Sequence, residues 1–379
     1  MKTIIRLLSL FAFVLCLVDQ AAAHEAKVIK LTGTAEVMLA GATAATPLAL
    51  NSVIPEGATV TTGVGAELTL ETLPGVISTI QAGSTVLMEK LAIVKNGEVV
   101  TEQTATLDLK QGNIVSTLDP AKKSINRYGV RTPKGVAAAR GTVYSVKVNL
   151  TGSTVATLSG IVTVTLASGV ILNIPVGTAS ANGEAVTALA AMIKADPSLA
   201  NDIAEAVKIV ASSVQSGASA VSSPESATAV LAAVVNAASA ALPAQAATFA
   251  ERAITAVTTS TNAAVKSVAA ATAAAVTEAA VQGAVKGTPA ADTTTAQQLA
   301  QDITNAAVTT ATANGVATQG LQGIVNSAAV GAAAGATAVG APPPQITAPS
   351  GSNLTAPPTA PAPSQPIVIP VNPVIISPN

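Results

Sequence analysis

Histidine and cysteine each occur once in the 379-residue chain, as His24 and Cys16, and tryptophan does not occur. These absences exclude most hydrolytic and metal chemistry. A Ser-His-Asp triad, a Cys-His pair and a His-based metal site all need residues that the chain lacks once Cys16 is removed with a leader. No disulfide framework is available either, so stability rests on packing. Aromatic residues are 1% of the chain and charged residues 10%, which predicts an aliphatic, small-residue core. The basic part of the sequence offers only Tyr128 and Tyr144 for stacking on bases, so nucleic acid is not an expected partner. Gly63-Val64-Gly65 lacks the further glycine and the helix of a phosphate-binding turn. Glu67 and Glu71 fall on the polar side of one strand and read as solvated, not as a catalytic pair. A terminal His24 lacks the second imidazole of a copper site. The expectation is a protein that is not an enzyme and carries neither cofactor nor metal.

What is present starts with a leader. Residues 1–23 combine Lys2 and Arg6, an apolar run from Leu7 to Val18, and Ala21-Ala22-Ala23. That is the pattern of a cleavable secretory signal peptide, and its apolar run is shorter than the ~20 residues of a spanning helix. Leu15 stands before Cys16 where a lipoprotein signal has a small residue. The mature chain is thus expected to start at His24, to be exported to the periplasm or the cell surface, and to have no transmembrane span.

Charge is unevenly distributed. Between His24 and Asp119 there are ten acids and five Lys or Arg. From Pro120 to Gly183 there are seven basic residues, Lys122, Lys123, Arg127, Arg131, Lys134, Arg140 and Lys147, and no acid. If Lys122, Lys123, Arg127, Arg131, Lys134 and Lys147 share a face, they form a patch for an anionic partner; if the two halves pair in one sheet, they neutralise each other. After Asp302 no charged side chain occurs.

Residues 25–178 read as short β-strands. Glu67-Leu68-Thr69-Leu70-Glu71, Thr106-Leu107-Asp108-Leu109-Lys110 and Tyr144-Ser145-Val146-Lys147-Val148 alternate apolar and polar residues, as half-buried strands do. Asn96-Gly97 between apolar runs predicts a type I′ hairpin. Near Gly183 the period changes, and Asp196-Pro197, Ser223-Pro224, Leu242-Pro243 and Thr288-Pro289 each open an alanine-rich run. Proline suits the first helical position, and Asp196, Ser223 and Thr288 suit the N-cap before it. The longest run, about 244–286, spaces Ile254, Val265 and Val276 eleven apart, which predicts one long helix. Alanine buries little area, so this half is expected to be weakly cored and to add little stability to the β part. From Ala341 prolines dominate, and Ile367-Val368-Ile369 and Val374-Ile375-Ile376 interrupt them near the end. The predicted segments are a signal peptide at 1–23, a β domain at 24–182, an alanine-rich helical region at 183–340 and an extended tail at 341–379.

One stretch carries a family resemblance. Thr132-Pro133-Lys134-Gly135, followed by Arg140-Gly141-Thr142-Val143-Tyr144-Ser145-Val146, resembles the central signature of the FecR domain. Ile54 to Gly63 with Ala66 to Leu70 is similar to the upstream part of that pattern, and Gly160-Ile161-Val162-Thr163-Val164 to its closing strand. The resemblance spans about residues 27–178 and implies an all-β fold, sandwich or β-solenoid-like. Within it Thr132, Pro133, Gly135, Arg140, Gly141, Thr142 and Tyr144 read as a structural motif, with Pro133 fixing a turn, Gly135 and Gly141 taking unusual φ, and Arg140 satisfying buried carbonyls. FecR proteins of signalling systems sit in the inner membrane, contact a sigma factor on one side and an outer-membrane receptor on the other. A chain with a cleavable leader departs from that plan. The sequence therefore predicts an exported envelope binding or scaffold protein whose partner is an envelope protein or an anionic polymer. The alternative is a periplasmic sensor component of cell-surface signalling that acts through a separate membrane partner.

Overall fold

The computed structural model describes residues 20–350 and 352–357. Strands fill the chain up to Ala188 and helices follow from Leu189, so a β-rich part precedes a helical part. Residues 1–19 of the expected leader and the two β-branched triplets near the C-terminus lie outside the described residues. Its last four residues, Gln20–Ala23, form a strand paired with Ala92–Lys95.

The strands form two sheets joined by one long strand. In the first sheet the order is Thr46–Pro47, Ala35–Met38, Thr59–Thr62, Thr85–Asn96, the first half of Val99–Leu118, Asn126–Thr132, Gly135–Ala139, Ile161–Leu166 and Ile171–Pro175. The second runs Val53–Ile54, Ala26–Thr32, Glu67–Leu73, Val76–Ile80, the second half of Val99–Leu118, Val143–Asn149, Gly152–Ser159, Thr178–Ala181 and Thr187–Ala188. Strand Val99–Leu118 changes sheets near Gly112, whose φ of 101° marks the corner. Among the described residues every pairing is antiparallel except that of Val99–Leu118 with Asn126–Thr132. A solenoid would stack parallel coils, so the two-sheet arrangement is the one that forms.

Alternation in the sequence explains which side chains fill the space between the sheets. Leu68, Leu70, Leu107, Leu109, Tyr144, Val146 and Val148 are all buried in one cluster drawn from both sheets. The second sheet is buried on its other face as well. Ile77, Val115, Val143, Ala156 and Leu158 point away from the sandwich and belong to the core of the helical layer. Strand Val76–Ile80 is buried at every position for this reason. The molecule is therefore layered as sheet, sheet, helices, and the helical part is packed on the β part. Alanine and valine of the helices thus share one core with the second sheet.

The helices are α1 (Leu189–Ala195), α2 (Ser198–Gln215), α3 (Pro224–Ala241), α4 (Ala246–Thr258), α5 (Ala263–Ser267), α6 (Ala269–Gly287), α7 (Thr293–Ala313) and α8 (Thr318–Val339). Ser223 caps α3 by accepting from the Ser226 N–H at 3.1 Å, with Pro224 in the first turn. Asp196 accepts from the Ser198 N–H at 3.0 Å. Thr288 caps nothing: its hydroxyl donates back to the Ala284 carbonyl, and Asp292 caps α7. The predicted 244–286 helix is three helices. Ser260 and Asn262 turn to other partners there, the Val214 and Ser222 carbonyls, and Asn262 also accepts from the Ala264 and Val265 N–H groups and restarts the chain as α5. Ile254, Val265 and Val276 are all buried, one on each helix.

Small residues allow the helices to approach closely. A Cβ on Gly283 would lie 2.3 Å from the Asn236 carbonyl of α3, and one on Gly331 would lie 2.2 Å from the Glu278 carbonyl of α6. The glycine spacing of α8 thus serves packing on α6. No described helix is long and apolar enough to cross a membrane.

Candidate functional site

The residues of the central motif sit where the chain crosses between sheets. Thr132 and Gly135 face each other across the two-residue turn Pro133-Lys134. The Thr132 hydroxyl accepts from the Lys134 N–H at 3.2 Å and donates to the Gly135 carbonyl at 3.1 Å. Gly135 has no unusual φ; it is needed because a Cβ there would lie 2.4 Å from the Thr165 carbonyl of the next strand. Gly141 does have positive φ, 66°, and a Cβ there would meet the Pro120 Cα at 2.8 Å. Thr142 is buried, and its carbonyl accepts from the Leu118 N–H at 2.9 Å. Arg140 is exposed and makes no hydrogen bond with the described residues, so it does not satisfy buried carbonyls.

Both tyrosines are in the core. Tyr144 and Tyr128 are fully buried and meet edge to face, with ring centroids 6.4 Å apart. The Tyr128 hydroxyl lies between Ser78 Oγ at 2.8 Å and Ser116 Oγ at 2.9 Å. Burial pushes the Tyr128 phenol up to about 12 against the two serine hydrogen bonds, and pushes Tyr144 well above its usual value too. Both stay neutral in ordinary conditions and neither is placed to stack on a ligand.

The six cations expected as a patch do not share one face. Lys122 reaches the Pro74 carbonyl at 3.2 Å. Arg131 pairs with Glu89 at 2.6 Å and Arg127 with Glu102 at 3.6 Å on the outer face of the first sheet. Lys147 points the other way and pairs with Asp202 of α2 at 2.8 Å. Acids of the first half thus neutralise two of the seven basic residues across the first sheet, and an acid of the helical part neutralises a third. Asp202 gave no signal in the sequence because its partner lies in the other half. Among the described residues no carboxylate lies within ion-pair distance of Lys123, Lys134 or Arg140.

Strand register produces a feature that charge counting missed. Tyr128 pairs with Ala139 and Gly129 with Ala138, so Arg127 and Arg140, each one residue beyond the first of these pairs, stand at the same end of the outer face. The next row is small: Thr106, Gly129, Ala138 and Thr163 follow one another across four strands. Together they line a shallow groove of about 570 Å³. Ile161, 58% exposed, stands at its rim. The residues offer two guanidinium groups, threonine hydroxyls and a flat floor. They provide no nucleophile with a base, and among the described residues no three of His, Cys, Asp and Glu come together as a metal site. His24 lies apart, its pKa lowered by partial burial against the opposing pull of Glu71 and Glu25.

Residues 58–163 match the family model described as FecR protein. Two crystal structures described as an anti-sigma factor from Parabacteroides distasonis ATCC 8503 are similar at 13% identity. Each alignment covers 34% of this chain and 57% of that one, with a TM-score of 0.27. A search of curated proteins found no match.

Proposed function

We propose, from the premise that the β part of this chain carries a FecR domain, that the protein is an exported, non-catalytic binding module of the bacterial envelope. Its β part meets a partner through the outer face of the first sheet. One observation carries this reading. The chain's own helices cover the outer face of the second sheet, whereas the first sheet keeps an open face with a small-residue floor between Arg127, Arg140 and Ile161. The central motif, Thr132, Pro133, Gly135, Gly141, Thr142 and Tyr144, holds the turn and the sheet crossing beside that face. Arg140 belongs to the face itself.

The partner is an envelope protein or an anionic polymer, met through guanidinium groups that bind carboxylate or phosphate in bidentate fashion. The match to the FecR family favours a second reading, a sensor component of cell-surface signalling acting through a separate membrane partner. Both readings use the same face. A photo-crosslinking residue placed at Ala138 in the full chain should give a discrete adduct in envelope preparations, and one at the exposed, distant Leu150 should not. Arg127→Glu with Arg140→Glu should abolish the adduct. Equal adducts from both positions, or none from Ala138, would refute the assignment. If the adduct is a polymer, it should disappear at about 1 M salt, where screening shortens to about 3 Å; a protein held mainly by the apolar rim should persist.

A further inference from the structure

Three glutamines on α7 and α8 hold the segment that follows α8. Gln297 Nε2 donates to the Gln345 carbonyl at 2.5 Å, and its Oε1 accepts from the Gln345 N–H at 2.6 Å. Gln301 does the same for Thr347 at 3.0 Å and 3.0 Å. Gln322 does it for Thr355 at 2.9 Å and 2.9 Å. Each carboxamide thus closes a ring with both polar groups of one backbone residue. The spacing has a simple cause. Residues i and i+4 of a helix are about 6 Å apart along its axis, and residues i and i+2 of a polyproline-like chain about 6.2 Å apart. Gln297 and Gln301 therefore match Gln345 and Thr347.

The arrangement is repeated in sequence on both sides. The held segment contains Ile346-Thr347-Ala348-Pro349 and Leu354-Thr355-Ala356-Pro357, and in each repeat the threonine backbone is the clamped one. The residue before it is the anchor: Ile346 is 6% exposed and Leu354 packs on the same helical core. The helices repeat too, with Gln301-Asp302-Ile303-Thr304-Asn305 in α7 and Gln322-Gly323-Ile324-Val325-Asn326 in α8. In each, the asparagine one turn on accepts a hydrogen bond from the glutamine Nε2, at 3.0 Å for Asn305 and 3.1 Å for Asn326. A carboxamide has two N–H donors, so one can serve the asparagine while the other serves the peptide. The asparagine fixes which way the amide faces.

We propose that this face of α7 and α8 is a recognition site for extended, uncharged peptide of the form apolar-Thr-Ala-Pro, filled here in cis by residues 345–349 and 354–357. The backbone is read by the glutamines, the apolar residue packs on the helical core, and proline supplies the extended conformation with little entropy to lose. Nothing in this assignment depends on the groove of the first sheet. A second copy of the same segment is the competing ligand in trans. The chain's next Thr-Ala-Pro, at Pro358-Thr359-Ala360-Pro361, has proline where the anchor belongs and should not be recognised.

The test uses the full chain with Thr347→Pro and Thr355→Pro, which removes the two N–H groups accepted by Gln301 and Gln322 while leaving both glutamines in place. A synthetic peptide of residues 344–357 should bind this variant, with helix content unchanged by circular dichroism, and should bind wild type at least about tenfold more weakly because the site is occupied. Adding Gln301→Ala and Gln322→Ala to the variant should weaken peptide binding by about tenfold or more, since five hydrogen bonds are lost. A peptide with Pro in place of Ile346 and Leu354 should not bind. Should the double-proline chain lose its fold, hydrogen exchange on wild type decides. The Thr347 and Thr355 amides should be protected there, and protection should fall in Gln301→Ala and Gln322→Ala. Failure of the peptide to bind a folded, vacated chain, binding that ignores the glutamines, or free exchange of both threonine amides would overturn the proposal.

Discussion

Replacing Tyr128 with phenylalanine tests the buried hydroxyl cluster and its pH dependence together. The Tyr128 hydroxyl sits between Ser78 and Ser116. Ser78 keeps a second partner in Thr72 at 2.7 Å, whereas Ser116 Oγ loses its 2.9 Å partner and is left with only the neighbouring Tyr144 hydroxyl. A buried hydroxyl without a partner costs about 1–3 kcal/mol, so Tyr128→Phe should be less stable than wild type by that amount near neutral pH. The deficit should then shrink in alkali. The folded phenol is pushed up by burial from its ordinary 10.0 to about 12. Above about pH 10 the unfolded chain loses this proton while the folded chain retains it, so the folded state holds more protons and stability falls as pH rises. The contribution is complete below about pH 10 and lost through about pH 12, a total of about 2.7 kcal/mol for two units. Phenylalanine has no such titration. Urea unfolding of both proteins at intervals from about pH 7 to about pH 12 should therefore give a gap that narrows by about 2–3 kcal/mol. A gap constant across that range would show that the Tyr128 phenol is not held protonated by burial.

Two further outcomes follow from the sheet crossing and from the layer contact. Gly141→Val should lower the melting temperature by several degrees, since it combines a β-branched residue at positive φ with a Cβ 2.8 Å from Pro120; Arg140→Lys, at an exposed position, should leave it unchanged, and equal melting of the two variants would remove the special-backbone argument. The isolated 24–182 fragment should bind a hydrophobic dye and melt below the full chain, because Ile77, Val115, Val143, Ala156 and Leu158 lose their helical cover and side chains of the larger sizes contribute about 1.5–3 kcal/mol each when buried; a fragment as stable as the full chain would show that the helices add nothing.

The sequence was most informative where one period or one residue type decides the structure. Leu68, Leu70, Leu107 and Leu109 alternate with polar residues, and a strand of period two has only one way to bury them. Ser223-Pro224 begins a helix because its cap is local. Turn chemistry was less transparent. Asn96-Gly97 does make a hairpin, but Asn96 pairs with Val99, so the loop is Gly97-Glu98, and only Gly97 has positive φ. The type I′ turn predicted from the dipeptide needs both, and the register of the long strands overrode it. Helix continuity failed similarly. Ile254, Val265 and Val276 keep their eleven-residue spacing by coincidence of burial on three separate helices, because hydroxyl and amide side chains between Thr258 and Asn262 divert the backbone.

The sites were harder to read than the fold because each depends on residues with no chemical signal of their own. Six positive residues close in sequence looked like a patch, yet the chain crosses from the first sheet to the second between Ala139 and Val143, and Arg127 and Lys147 consequently face opposite outer surfaces. What brings Arg127 beside Arg140 is the pairing of Tyr128 with Ala139, a fact of register that composition does not contain. The floor of that groove is Gly129 and Ala138, residues noticed in a sequence only as filler. The same holds in the helical layer: Gln301 and Gln322 are single uncharged polar residues of alanine-rich helices, and Thr-Ala-Pro carries no reactive group. Their meaning appears only in pairs, when glutamine meets a backbone residue that an apolar neighbour has already seated. A chain poor in charge and aromatics has few other means of specific recognition. Both sites accordingly rely on shape and backbone geometry, the guanidinium pair excepted, and a search for reactive side chains would pass over each of them.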